Sequence, residues 1–225
     1  MKISGLQRVT ASDFPGRLAA IVFTQGCNFH CPFCHNSSLL PMDADTLIGE
    51  DTVFAFLQKR QKLLDGLVIS GGEPCLQKGL FGFCRKVKDM GFAVKLDTNG
   101  SRPDVLARLI GEELVDGVDM DLKAPLEKEL YDRLAGVSVD LTALGRSVEL
   151  LRNARLPHRF RTTYVPGLLD EPSIRELARF VAPSSEYVLQ PFDPRRTLDA
   201  ALGEISPPGD EEMGRLRELI PAAAG

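Results

Sequence analysis

Short apolar runs alternate with amphipathic stretches along most of this chain. The runs at 18–24, 66–70, 92–97, 117–123, 158–165 and 186–190 read as strands, and the first three are apolar at nearly every position, as strands covered on both faces must be. Between them the apolar period lengthens to that of a helix. Glu50-Asp51 opens a pattern with Val53, Phe56 and Leu57 on one face, and Leu80, Phe83, Cys84 and Val87 share another. Val105, Leu106, Leu109 and Ile110 mark a third helix, residues 127–134 a fourth, and 141–153 a fifth through Leu144, Val148 and Leu151. Residues 172–181 and the set Met213, Leu216, Leu219 and Ile220 complete the series. Ahead of all this, Ile3 to Val9 is β-like, and the turn Ser12-Asp13-Phe14-Pro15-Gly16 predicts a leading hairpin.

Six strands alternating with helices over about 200 residues argue for a parallel sheet. A closed eight-unit barrel takes about 250 residues. The expectation is therefore an incomplete (β/α)6 TIM-type barrel, open on one side, with a short N-terminal β extension, all in one domain over 1–225. The chain has 225 residues and is 44% hydrophobic, enough for one sizeable core. The only biased tract is Ala222-Ala223-Ala224.

Charge and cysteine usage narrow the setting. A net charge of −4 and a pI of 5.5 leave no basic footprint for nucleic acid. No apolar run reaches the roughly 18 residues of a membrane span, and the first residues do not begin a signal peptide. The expected location is cytoplasmic, where thiols stay reduced and serve metals, clusters or packing.

Three of the five cysteines lie in Cys27-Asn28-Phe29-His30-Cys31-Pro32-Phe33-Cys34-His35, just beyond the first long strand. The C-x3-C-x2-C spacing is too tight for a disulfide framework, so three converging thiolates should hold a metal or an iron-sulfur cluster. A zinc knot completed by His30 or His35 is the structural alternative, although such knots usually use a second C-x2-C knuckle. Cys84 shares a helix face with Leu80 and Val87 and reads as core, while Cys75 reads as a bystander thiol near the rim. The other strands also end in polar groups: Ser70-Gly71-Gly72-Glu73, Asp97-Thr98-Asn99, Asp121 with Lys123, and Arg161. In parallel α/β folds this is the rim on which sites are built. Asp121 and Lys123, two apart, should point to one face, either toward a shared ligand or toward each other. Arg161 could equally serve a neighbouring strand's acid. Three thiolates leave the fourth iron of a cubane cluster without a protein ligand, which calls for an exogenous one.

With Phe33 just before the third cysteine, the C-x3-C-x2-C run resembles the signature of the radical S-adenosylmethionine superfamily, and Gly71-Gly72-Glu73-Pro74 resembles its GGEP element. Asp13-Phe14-Pro15-Gly16, Phe23-Thr24-Gln25-Gly26-Cys27, Cys34-His35-Asn36, Leu96-Asp97-Thr98-Asn99-Gly100, Asp119-Met120-Asp121-Leu122-Lys123 and Tyr164-Val165-Pro166-Gly167 are similar to the activating enzymes of glycyl radical enzymes. The Gln190-Pro191-Phe192 tail is most similar to the anaerobic ribonucleoside-triphosphate reductase activating proteins.

That resemblance implies a 4Fe-4S cluster on Cys27, Cys31 and Cys34 and S-adenosylmethionine chelated at the open iron. It places Phe33 against the adenine, Gly71, Gly72 and Glu73 at the amino end, and Lys123 and Arg161 at the carboxylate. Asp97, Thr98 and Asp121 would neighbour the methionine and ribose portion, with a monovalent cation as a further candidate ligand there. It also implies a glycyl radical enzyme as protein substrate, met by Asp13, and flavodoxin or ferredoxin as electron donor. One departure is Asp193, where some relatives carry histidine; a second is Cys75, where a threonine or similar residue is common. Alternatives are an activase of another glycyl radical enzyme such as pyruvate formate-lyase, a radical enzyme acting on a small molecule, a cluster-bearing electron carrier, and a noncatalytic zinc-binding module.

Overall fold

A computed structural model describes residues 1–182 and 185–221; Ala222-Ala223-Ala224 lie outside the described residues. The strands are β1 (Ile3–Thr10), β2 (Ala19–Thr24), β3 (Gly66–Gly71), β4 (Ala93–Thr98), β5 (Gly117–Asp121), β6 (His158–Tyr164) and β7 (Glu186–Pro191). The helices are α1 (Glu50–Gln58), α2 (Leu80–Asp89), α3 (Pro103–Gly111), α4 (Lys128–Ala135), α5 (Leu141–Asn153), α6 (Glu171–Val181) and α7 (Asp210–Glu218). All seven strands form one sheet in chain order. β1 is antiparallel to β2, and every later pair is parallel. β1 and β7 are the two edges, so the barrel is open between them, as the (β/α)6 expectation with an N-terminal β extension required.

Local chemistry explains the boundaries. Asp140 caps α5 by accepting from the N–H groups of Thr142 and Ala143, and Asp170 caps α6 through Ser173 N–H. The apolar set Ala20, Val22, Leu67, Ile69, Val94, Leu96, Val118, Met120 and Phe160 forms the outer face of the sheet and packs under the helices as the main core. In α1 the buried face is Val53, Phe54 and Leu57; Phe56, expected inside, is partly exposed. Phe54 takes its place by stacking on Phe83 of α2 at 5.1 Å between ring centroids.

The inner face of the sheet is divided by composition. On β2 and β3 it is apolar: Ala19, Ile21, Phe23 and Val68 form a small second core with Phe14 from the β1–β2 turn. On β4, β5 and β6 it carries Lys95, Asp97, Asp119, Asp121, Arg159 and Arg161, every second residue of three adjacent strands. The charges of these strands thus fill the barrel interior, and Asp97, Asp121 and Arg161 bring them up to its carboxyl end. No helix among the described residues is long and apolar enough to cross a membrane.

Candidate functional site

The cysteine loop leaves β2 at Thr24 and is held by backbone bonds along its length. Gly26 N–H donates to Leu39 O at 2.7 Å, Cys27 N–H to Leu40 O at 3.2 Å, and His30 N–H to Ala135 O at 2.8 Å. Asp199 N–H donates to Pro32 O at 2.9 Å, and the Asn99 amide donates to Asn28 Oδ1 at 3.0 Å. The neighbouring β3 ends against this loop because Gly71 and Gly72 lack side chains. Gly71 sits at φ +118°, and a Cβ on Gly72 would lie 2.2 Å from Gly26 O. Gly72 N–H and Glu73 N–H then bond Thr24 O at 2.9 Å and Gly26 O at 2.8 Å, extending the β2–β3 pairing into the loop.

A cavity of about 430 Å³ opens at the carboxyl ends of the strands. Cys27, Cys31, Cys34, Phe29 and Phe33 form one wall, Ser70, Gly71 and Gly72 adjoin it, and Asp97, Thr98, Asn99, Asp121, Lys123, Arg161 and Thr163 face it. Gln7 of β1, Gln190 of β7 and Asp13 lie at the open flank of the same cavity. Of the residues that the resemblance assigns to the cofactors or to the partner, Glu73 alone is missing from this lining.

Glu73 is fully buried behind it. Its carboxylate accepts from Cys75 N–H at 2.9 Å, Thr98 Oγ1 at 2.7 Å and Asn99 N–H at 2.7 Å, joining the β3 loop to the end of β4. Burial is the largest influence and holds this carboxyl above the usual carboxylate range, against the three donors. Glu73, expected at the amino end of a ligand, is thus off the cavity lining here, with its acid turned inward to position the rim. Cys75, expected near the rim, is buried with its thiol 3.5 Å from Thr98 Oγ1.

Burial raises all three loop thiols, Cys27 to about 12 and Cys31 to about 11, while the Lys123 ammonium pulls each of them down. Free thiolates are thus disfavoured here, and their ionised form calls for a positively charged partner in the cavity. The three thiols line one cavity. Among the described residues no group of three or more His, Cys, Asp or Glu side chains could hold a metal ion. Separate backbone bonds fix each part of the loop, and the His35 imidazole Nε2 lies against Asp193 O at 3.1 Å. A wall of spaced thiols matches a cluster, whose irons are spread over a cube, better than it matches one zinc ion.

The opposite wall is charged and internally paired. Arg161 reaches Asp121 Oδ1 through Nε at 2.9 Å, and Asp119 and Asp97 through Nη1 at 3.2 and 3.4 Å. Lys123 Nζ lies 3.0 Å from Asp121 Oδ2 and 5.9 Å from the Phe33 ring centre, and Tyr131 Oη accepts from Lys123 N–H at 3.3 Å. Burial would raise Asp121, but Arg161 and Lys123 outweigh it and hold the acid well below its usual range. Asp121 and Lys123 pair with each other, and both line the cavity. Asp193 is off the wall, its carboxylate taken by Arg195 at 2.5 Å. Sequence reasoning missed Tyr131 and Lys95, and it quoted Asn28 and Asn99 inside their motifs without giving Asn28 or Asn99 a role of its own.

The sequence pattern of the Radical SAM superfamily matches residues 21–181. A Methanocaldococcus jannaschii protein named as a glycyl-radical enzyme activating enzyme is 31% identical over 96% of this chain and 90% of its own length. The pyruvate formate-lyase 1-activating enzyme of Escherichia coli is 28% identical over 97% of this chain and 94% of its own. Among solved structures, Streptococcus suis SuiB bound to its precursor peptide SuiA matches with a TM-score of 0.66 at 16% identity. That match covers 88% of this chain and 44% of SuiB, and it speaks to the fold.

Proposed function

The chain belongs to the radical SAM superfamily, and from that premise we propose that it activates a glycyl radical enzyme, the partner being anaerobic ribonucleoside-triphosphate reductase. It is a radical SAM enzyme, and its family works with a 4Fe-4S cluster and S-adenosylmethionine. The residues present fit that pair: three spaced thiols whose ionised form needs cationic compensation, two glycines whose missing side chains leave the rim open, and paired cations across the cavity. The observation that carries the reading is that one cavity holds all of these and also opens between β1 and β7.

In this reading Cys27, Cys31 and Cys34 hold the cluster. Together the two cofactors supply one-electron cleavage chemistry, with flavodoxin or ferredoxin as electron source. Lys123 and Arg161 bind the cofactor's carboxylate, matching its charge with an ammonium and a guanidinium. Asp97, Thr98 and Asp121 orient the methionine and ribose portion and are the candidate ligands of a monovalent cation. Phe33 and Phe29 wall the apolar side and keep water from it. Gly71 and Gly72 allow close approach, and Glu73 acts from behind by fixing Thr98 and Asn99. Asp13 stands at the open flank, where it would accept from a partner's backbone.

The test is anaerobic incubation of reconstituted protein with the reductase, a reductant and S-adenosylmethionine, read by electron paramagnetic resonance. A glycyl radical doublet on the reductase supports the proposal. Methionine release with no radical on it, and a radical on pyruvate formate-lyase instead, would move the assignment to the partner named for the Escherichia coli relative. Colourless protein carrying stoichiometric zinc would overturn the radical reading altogether.

A further inference from the structure

Parallel register puts Asp97 of β4 and Asp119 of β5 side by side as Cα partners. Both side chains point to the inner face, where like charges on directly paired residues repel. Lys95, two residues before Asp97 and on the same face, resolves the conflict. Its Nζ bonds Asp97 Oδ1 and Asp119 Oδ2, the latter at 2.8 Å, and its side chain is only 2% exposed. Asp119 completes its bonding with a bidentate pair from Arg159, Nε at 3.0 Å and Nη2 at 2.6 Å.

The consequence reaches the cavity through Arg161. With Lys95 holding both acids, Arg161 meets Asp97 and Asp119 through Nη1 alone and keeps Nε on Asp121, so none of these bonds uses Nη2. Arg159 is shared between Asp119 and the neighbouring Glu186, so it does not take over the role of Lys95 at Asp97. Without Lys95 the two adjacent acids, Asp97 and Asp119, would compete for Arg161.

We propose that Lys95 is a positioning residue: buried below the cavity, it holds Asp97 and Asp119 so that Arg161 keeps its Nη2 for a ligand carboxylate. The assignment rests on the reading of Arg161 as the partner of the S-adenosylmethionine carboxylate, and the test separates the two.

Equilibrium binding of S-adenosylmethionine is measured on anaerobically reconstituted wild type, Lys95→Met, Lys95→Met with Asp119→Asn, and Arg161→Met, with iron content and thermal melts alongside. Lys95→Met should bind about ten- to a hundredfold more weakly at unchanged iron content, as loss of a charged hydrogen-bonding group implies. The double variant removes Lys95 together with one of the two acids it holds, leaves Asp97 alone to draw on Arg161, and should recover most of the affinity. If Arg161→Met is impaired while Lys95→Met binds like wild type, Lys95 serves stability alone and the proposal fails. If Arg161→Met itself binds like wild type, the carboxylate reading fails first. Should Lys95→Met not fold, the double variant decides: wild-type-like binding supports charge compensation, and weak binding overturns it.

Discussion

Replacing Glu73 by Gln separates a residue that touches the ligand from one that builds the rim. The buried carboxylate accepts three donors, two of them backbone N–H groups. A Gln keeps the shape but turns one acceptor into a donor, so at least one buried N–H or O–H loses its partner whichever way the amide is set. One such orphan costs about 1–3 kcal/mol. For a chain of this size each kcal/mol moves the melting temperature by about 2–4 °C. Circular dichroism melts of the cluster-free protein are the assay, since the chain has no tryptophan to report fluorescence. The pH dependence has a definite sign. Because burial raises the folded-state value above the ordinary 4.5, wild-type Glu73 contributes most below 4.5 and loses that contribution as pH rises through the folded value. The deficit of the Gln variant should therefore widen as pH is lowered from neutrality. An unchanged melt combined with lost S-adenosylmethionine binding would refute the placement of Glu73 behind the wall.

Replacing Cys27, Cys31 or Cys34 by Ala should abolish iron retention after reconstitution, whereas Cys75→Ala and Cys84→Ala, both in the core, should keep iron content and lower only the melting temperature. Gly72→Ala places a Cβ 2.2 Å from Gly26 O, so it should displace the cysteine loop and reduce iron content with the rest of the fold intact by circular dichroism. Asp119→Asn should cost about 3–5 kcal/mol at neutral pH in denaturant melts. Burial would raise Asp119, but Arg159, Lys95 and Arg161 overcome it and hold the acid below its ordinary 3.8. Its stabilisation is thus complete above 3.8 and lost as pH falls through the folded value, and the Asn deficit should shrink in acid. Asp193→Ala, which breaks an exposed pair with Arg195, should leave stability and cofactor affinity nearly unchanged.

The strand order and the cysteine loop were readable because periodicity and spacing report them directly. Apolar runs such as 66–70 and 92–97 admit few other assignments, and three thiols in eight residues restrict the chemistry. Orientation was less readable. Glu73 lies where its motif puts it in the chain, yet the direction of the carboxylate depends on Thr98 and Asn99, which are supplied by a different strand. Lys95 sits inside a largely apolar run, and nothing in that run marks it for a role. Its purpose appears only when register brings Asp97 beside Asp119, and register is a property of two strands, not of either sequence. Phe54 replaced Phe56 in the core for a similar reason, because the ring of Phe83 selects between neighbours that helical spacing barely distinguishes.

The bonds that hold the cysteine loop run from Gly26, Cys27, Asn28, His30 and Pro32 to Leu39, Leu40, Asn99, Ala135 and Asp199, and none of them involves a thiol or a metal. In small zinc domains the metal drives folding, so its removal unfolds the chain. Here the loop's path is fixed by backbone and amide bonds of the polypeptide, so taking the metal away should leave the rest of the fold in place, with a cooperative circular dichroism melt of the metal-free protein as the check.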